Sequence, residues 1–178
     1  MSALIRRLNG IKNACTIDWL TPSQAQTWRE LQDCLALGEV VNLHGPIGSG
    51  KTFLAWLLIK QHHAIYVTST GISSLPIAKP IGATDVTLPI VDDYPSTREA
   101  HRSLIKQLAY NGYIQAVVLT QLPIHDDCYR VQLTLTKADL DHVRQRLLLL
   151  DPELPPRRGG TLHHLINPNL PLDDEETT

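Results

Sequence analysis

Residues 45–52, Gly45-Pro46-Ile47-Gly48-Ser49-Gly50-Lys51-Thr52, satisfy the pattern G-x-x-x-x-G-K-[ST] at every fixed position. These are the residue types a phosphate cradle needs. Glycines let the backbone turn its N–H groups inward around an anion, and a helix opening after the loop adds the positive end of its dipole. Lys51 is then placed to reach the β and γ phosphates of a nucleoside triphosphate, and the Thr52 hydroxyl to ligate Mg²⁺. The expected ligand is ATP with Mg²⁺, held by residues 45–52 and by Phe53 just behind them.

A metal ion held by Thr52 and nucleotide oxygens needs a carboxylate at the end of a neighbouring strand. Leu88-Pro89-Ile90-Val91-Asp92-Asp93 offers two. Asp92 is assigned to the metal shell and Asp93 to polarising the attacking water. Val117-Val118-Leu119-Thr120-Gln121 ends a further strand, and Thr120 is a candidate to sense the γ phosphate or orient water there. Arg130, just ahead of a fifth strand, reads either as an arginine finger toward a neighbouring subunit's nucleotide or as a surface arginine. Arg98, Arg102 and Lys106 recur every four residues and so form one basic stripe on a helix, either a DNA or acidic-partner contact or a solvated face.

The elements that must position these groups alternate. Thr21-Pro22-Ser23-Gln24 has the grammar of a helix start with a capping box, and that helix stops at Gly38. Residues 39–43 read as a buried strand entering the loop, and residues 52–61 as the helix that follows. Strands are expected at 64–68, 86–91, 115–120 and 131–135, the middle stretch 69–85 being loop. Ser96 with Glu99 suggests a capping box for a helix ending at Asn111-Gly112, and Thr136 caps a last helix with apolar Leu140, Val143, Leu147 and Leu150. Pro89 is a mild argument against a central strand. Alternating strands and helices predict a three-layer α/β/α fold on a parallel sheet of about five strands.

The 178-residue chain, 43% hydrophobic, suffices for one domain over residues 1–150, with a core at about 38–150 after an N-terminal helical segment. Residues 151–178, with Arg157-Arg158 and an acidic end, are expected to be an irregular, flexible tail. A net charge of -2 gives no overall pull toward nucleic acid or anionic membrane. Cys15, Cys34 and Cys128 are odd in number and widely spaced, which argues against a disulfide framework or zinc site and for a cytoplasmic setting. No apolar run long enough to span a membrane occurs. The pairs His62-His63 and His163-His164 read as surface residues, and Trp19, Trp28 and Trp56 as packing residues.

The three motifs resemble the additional-strand ATPases, and within them the AAA+ group that contains the DnaA initiator, the DnaC and Hda regulators, and the IstB and TniB transposition helpers. The likeness spans about residues 38–150, and the paired aspartates at 92 and 93 are characteristic of that group. It implies Lys51 and Thr52 as Walker A, Asp92 and Asp93 as Walker B, and Thr120 as sensor one. It implies an ATPase or ATP-dependent switch serving a replication, transposition or mobile-element machine, with a protein partner or a homo-oligomer. A non-hydrolysing nucleotide-binding scaffold and a small-molecule or nucleotide kinase are the competing expectations. Two departures stand out: there is little room for a helix between residues 68 and 86, and the helical lid is reduced to residues 137–150, with no counterpart of a sensor-two arginine.

Overall fold

The computed structural model describes residues 3–78, 87–125, 128–150 and 161–166. Five short strands, β1 (Val40–His44), β2 (Ala64–Thr68), β3 (Leu88–Asp92), β4 (Ala116–Thr120) and β5 (Tyr129–Gln132), form one parallel sheet in the order β2-β3-β4-β1-β5. Helices α1 (Ala3–Ala14), α2 (Pro22–Ala36), α3 (Lys51–Gln61), α4 (Arg98–Tyr110), α5 (Lys137–Leu150) and α6 (Leu162–Ile166) surround it. The three-layer α/β/α fold expected from the alternation is present.

Side-chain alternation explains the layers. Successive residues of a strand face opposite ways, and both faces of this sheet are apolar, as parallel sheets require. Val41, Leu43, Ile90, Val117 and Leu119 face α2 and α3, with Trp28, Leu31, Leu54 and Leu58 packed against them. Val91, Ala116 and Val118 face the other way, onto Leu104 and Leu108 of α4 and Ile72 of a 3-10 helix at Ser69–Ser74. Each fully buried aliphatic side chain contributes about 1.5–3 kcal/mol relative to exposure.

Local chemistry sets most boundaries. Thr21 accepts from Gln24 N at 3.2 Å while Gln24 Oε1 accepts from Thr21 N at 3.1 Å, a reciprocal cap that starts α2 at Pro22. Four expectations shift. The cap of α4 is Thr97, not Ser96: its hydroxyl accepts from Ala100 N at 3.3 Å, so Glu99 stands one place too early for a capping box. The fifth strand lies at Tyr129–Gln132, not 131–135, because it pairs only with β1 and that strand ends at His44 where the loop begins. Pro89 does lie in a central strand, since pairing of β3 with β4 starts at Ile90, beyond the missing N–H. The stretch expected to be loop after β2 opens with the 3-10 helix, and residues 79–86 lie outside the described residues.

A third apolar cluster joins Ile11 of α1, Leu147 of α5 and Leu162 and Leu165 of α6, against Phe53 and Trp56. Within the segment expected to be an irregular tail, residues 162–166 are thus helical and packed; residues 151–160 and 167–178 lie outside the described residues.

Candidate nucleotide site

All five strands end at one edge, and the phosphate loop leaves β1 there. Gly45 N donates to the Thr120 carbonyl at 3.3 Å, which ties the start of the loop to β4. A Cβ on Gly45 would lie 2.2 Å from the Leu133 carbonyl oxygen, so only glycine fits. Gly50 has φ of 96°, a left-handed value, and a Cβ there would come within 2.3 Å of Gln24 Nε2. The Lys51 ammonium folds back over the loop, donating to the carbonyls of Gly45 at 2.6 Å and Pro46 at 2.9 Å. Burial lowers its pKa, and the nearby Asp92 carboxylate acts in the opposite direction.

Lys51, Thr52, Asp92, Asp93 and Thr120 line one cleft of about 440 Å³, with Ile47 and Gly48 of the loop on its other wall. The Tyr66 hydroxyl, on the strand beside β3, donates to Asp92 Oδ2. Burial and the Asp92 carboxylate push the Tyr66 phenol up, while Thr52 acts the other way. Asp92 Oδ1 accepts from Asp93 N at 2.7 Å. Asp93 itself has φ of 54°, a conformation that Asp tolerates better than most residues. Among the described residues no group of three or more His, Cys, Asp or Glu is placed to hold an ion alone. Thr52 and Asp92 both line the cleft and offer oxygen atoms, the donor type that Mg²⁺ takes once or twice from a protein before phosphate and water complete its shell.

Thr120 is buried, and its hydroxyl is already committed, donating to the Leu122 carbonyl at 2.6 Å and accepting from Asn42 Nδ2 at 2.8 Å. Arg130 lies inside β5 rather than ahead of it, is exposed, and is close enough to His44 to depress its pKa after burial, with Lys51 adding to the effect. Arg98 and Arg102 lie with Lys106 on the exposed side of α4.

On the far side of the loop a second recess of about 340 Å³ shares Gly48, Lys51 and Thr52 with the cleft, adds Gly50, and is walled by Ile11, Trp19, Phe53, Trp56, Leu147 and Leu162. Phe53 therefore lines this apolar recess, not the charged cleft. Trp28 is core, whereas Trp19 and Trp56 both face the recess. Arg146 of α5 crosses its mouth, 5.8 Å from the centre of the Trp19 ring and bonded to the Asp18 carbonyl at 2.9 Å. Leu162 N donates to the Gly48 carbonyl at 3.2 Å, so α6 touches the loop directly. Asp139 pins α5 to α2: it accepts from Ser23 N at 2.9 Å, Ser23 Oγ at 2.7 Å, and Thr136 N and Oγ1 at 2.6 Å each. Burial pushes the Asp139 carboxyl up, but these four bonds outweigh it and hold the group far below the usual carboxylate range.

Sequence reasoning did not single out Tyr66, Asn42, Gln24 as a loop neighbour, or Asp139. Tyr66 alternates with Ile65 and Val67 in a strand and carried no motif. Asn42, a polar residue in an otherwise apolar strand, was the one available signal: it donates to Val118 O at 3.2 Å and accepts from Ile124 N at 2.9 Å.

The phosphate-loop strand β1 and the aspartate strand β3 are separated by β4, which carries Thr120. That strand order, with the loop and cleft above, makes a three-layer α/β/α fold of the P-loop type. Many solved structures are similar to the chain, the following two among them. One is described as a DNA replication initiation factor, at 14% identity over 70% of this chain and 49% of that one, with a TM-score of 0.46. The other is AMPPCP-bound DnaA from Aquifex aeolicus, at 15% identity over 74% and 51%, with a TM-score of 0.45. The chain spans about half the length of either structure. No family model and no curated protein matches it. No helix among the described residues is long and apolar enough to cross a membrane.

Proposed function

We propose that the chain binds ATP with Mg²⁺ as an AAA+-like ATPase or ATP-dependent switch serving a nucleic-acid machine. The observation that supports this most is the convergence of Lys51, Thr52, Asp92, Asp93 and Thr120 on one cleft at the carboxyl edge of the sheet. In this reading Lys51 exchanges its two loop carbonyls for the β and γ phosphates, and residues 45–52 wrap their N–H groups around the β phosphate. Mg²⁺, when bound through Thr52 and Asp92, neutralises charge on the phosphates. Asp93 accepts from the attacking water and Thr120 fixes its direction. The adenine lies in the apolar recess beside Phe53 and Trp19, and Arg130 faces a neighbouring subunit or partner. The DNA component of the reading rests on the paired aspartates and on the exposed stripe of Arg98, Arg102 and Lys106.

The test is ATP turnover by the purified protein with Mg²⁺, alone and with single- or double-stranded DNA, beside Lys51→Ala and Asp93→Ala. Turnover that DNA stimulates and both substitutions abolish is the expected result. Nucleotide affinity and partner binding that survive Lys51→Ala intact would end the proposal. One observation favours a second reading, a non-hydrolysing scaffold: the Thr120 hydroxyl proton is already committed to the Leu122 carbonyl. Copurifying nucleotide with no turnover under any condition would mark that case.

A further inference from the structure

The apolar recess has a buried amide built into its wall where it meets the phosphate loop. Gln24 is only 2% exposed, yet it lines the recess together with Trp19, Phe53 and Trp56. Its orientation is fixed. Oε1 accepts from Thr21 N at 3.1 Å, while Gln24 N donates to the Thr21 hydroxyl at 3.2 Å, the reciprocal cap that opens α2. Only the oxygen of an amide can accept from a main-chain N–H, so the nitrogen end points the other way. There Nε2 lies against Gly50, so close that a Cβ on that residue would collide with it. The two hydrogen bonds of Gln24 use Oε1 and the main-chain N, and Nε2 donates to no group among the described residues. The neighbouring cations are engaged elsewhere, Arg146 with the Asp18 carbonyl and the Trp19 ring, and Lys51 with the carbonyls of Gly45 and Pro46. A buried NH₂ group with a fixed aim suits a ligand that brings an acceptor, because a buried donor left without a partner is costly.

We propose that Gln24 Nε2 is a specificity-determining donor that reads the ring acceptor N7 of a purine base seated in the recess. The proposal rests on the nucleotide-binding reading above. Gly50 closes the phosphate loop immediately before α3, so Nε2 stands on the phosphate side of the recess. In an anti nucleotide the imidazole half of a purine is the half turned toward the 5′ phosphates, and N7 is its free acceptor. A two-point reading of adenine takes both ends of an amide, one for N7 and one for the N6 amino group. Gln24 offers the nitrogen end alone, since its oxygen holds the helix cap. The contact therefore separates purines from pyrimidines and leaves any choice between the purines to other groups.

Gln24→Glu keeps the capping oxygen, because glutamate serves a capping box as glutamine does, and removes the donor. Gln24→Met removes the donor without adding a charge. For the wild type, both variants and Lys51→Ala, Kd is measured by isothermal titration for ATP and for 7-deaza-ATP, in which N7 is replaced by C–H, each with Mg²⁺. The readout is the ratio of the two Kd values, which cancels any uniform effect of a substitution on phosphate binding. In the wild type 7-deaza-ATP binds about fivefold more weakly than ATP, the loss of one neutral hydrogen bond. In Gln24→Glu and Gln24→Met the ratio falls to about one. ATP binding that depends on Lys51 but shows a wild-type ratio near one, or a fivefold ratio that survives either Gln24 substitution, overturns this proposal alone. No nucleotide binding by the wild type, or binding that Lys51→Ala leaves intact, overturns the nucleotide reading and this proposal with it.

Discussion

The phosphate loop divides two recesses that share Gly48, Lys51 and Thr52 and little else. On one side Asp92, Asp93 and Thr120 present oxygen atoms; on the other Trp19, Phe53, Trp56 and Leu162 present carbon. The polar side is assembled from residues at or just beyond the ends of adjacent parallel strands, which the sheet aligns on one edge by construction. The apolar side needs α1, α2, α3, α5 and α6 to meet. A nucleotide has the same division, with a charged end and an aromatic end, and the two recesses are separable by substitutions that touch one end only.

Lys51→Ala removes the only cation the loop contributes to the polar side. It should cost about 3 kcal/mol of binding, about a hundredfold in Kd, for ATP and for inorganic tripolyphosphate alike, by isothermal titration. Asp139→Asn attacks the support of the apolar side. Breaking the charged bonds to Ser23 and Thr136 should lower unfolding free energy by about 2–3 kcal/mol in a urea titration. The wild-type contribution has a definite sign. Because the folded carboxyl sits below its unfolded value, the stabilisation is complete above about pH 5 and is lost as pH falls through about 4 and below. Asp139→Asn should flatten that acid limb. Gly50→Ala touches the wall between the recesses: the left-handed φ and the buried Gln24 amide should cost about 1–2 kcal/mol in stability. Trp19→Ala should cost about 1 kcal/mol of ATP binding and leave tripolyphosphate binding unchanged. Equal loss for both ligands would mean that the apolar recess does not hold the base.

The polar recess was largely legible in the sequence because each contributor is announced by its neighbours. Residues 45–52 are contiguous, and Asp92 and Thr120 each close a β-branched apolar run. The apolar recess was not legible, since Leu8, Trp19, Val143 and Leu162 are far apart in the chain and each fits an ordinary packing pattern. The misplaced cap at Ser96 shows a different limit. Ser96 and Thr97 are both good caps, and only the backbone decides that Thr97 takes the Ala100 N–H. Arg130 was placed before its strand because the apolar pattern starts at Val131, whereas the strand is an edge whose register is set by β1.

Asn42 has a mechanical consequence. Its amide is completely buried between β1 and β4 and is satisfied at both ends, by Val118, Thr120 and the loop at Ile124. Parting these strands would strand a buried amide at a cost of about 1–3 kcal/mol. The seam that carries the 45–52 loop and Thr120 is therefore stiff, a plate on which both are mounted together. The sheet's two margins, β2 and β5, lack such a clamp and are each paired on one side only, and β2 continues into the 3-10 helix at Ser69–Ser74.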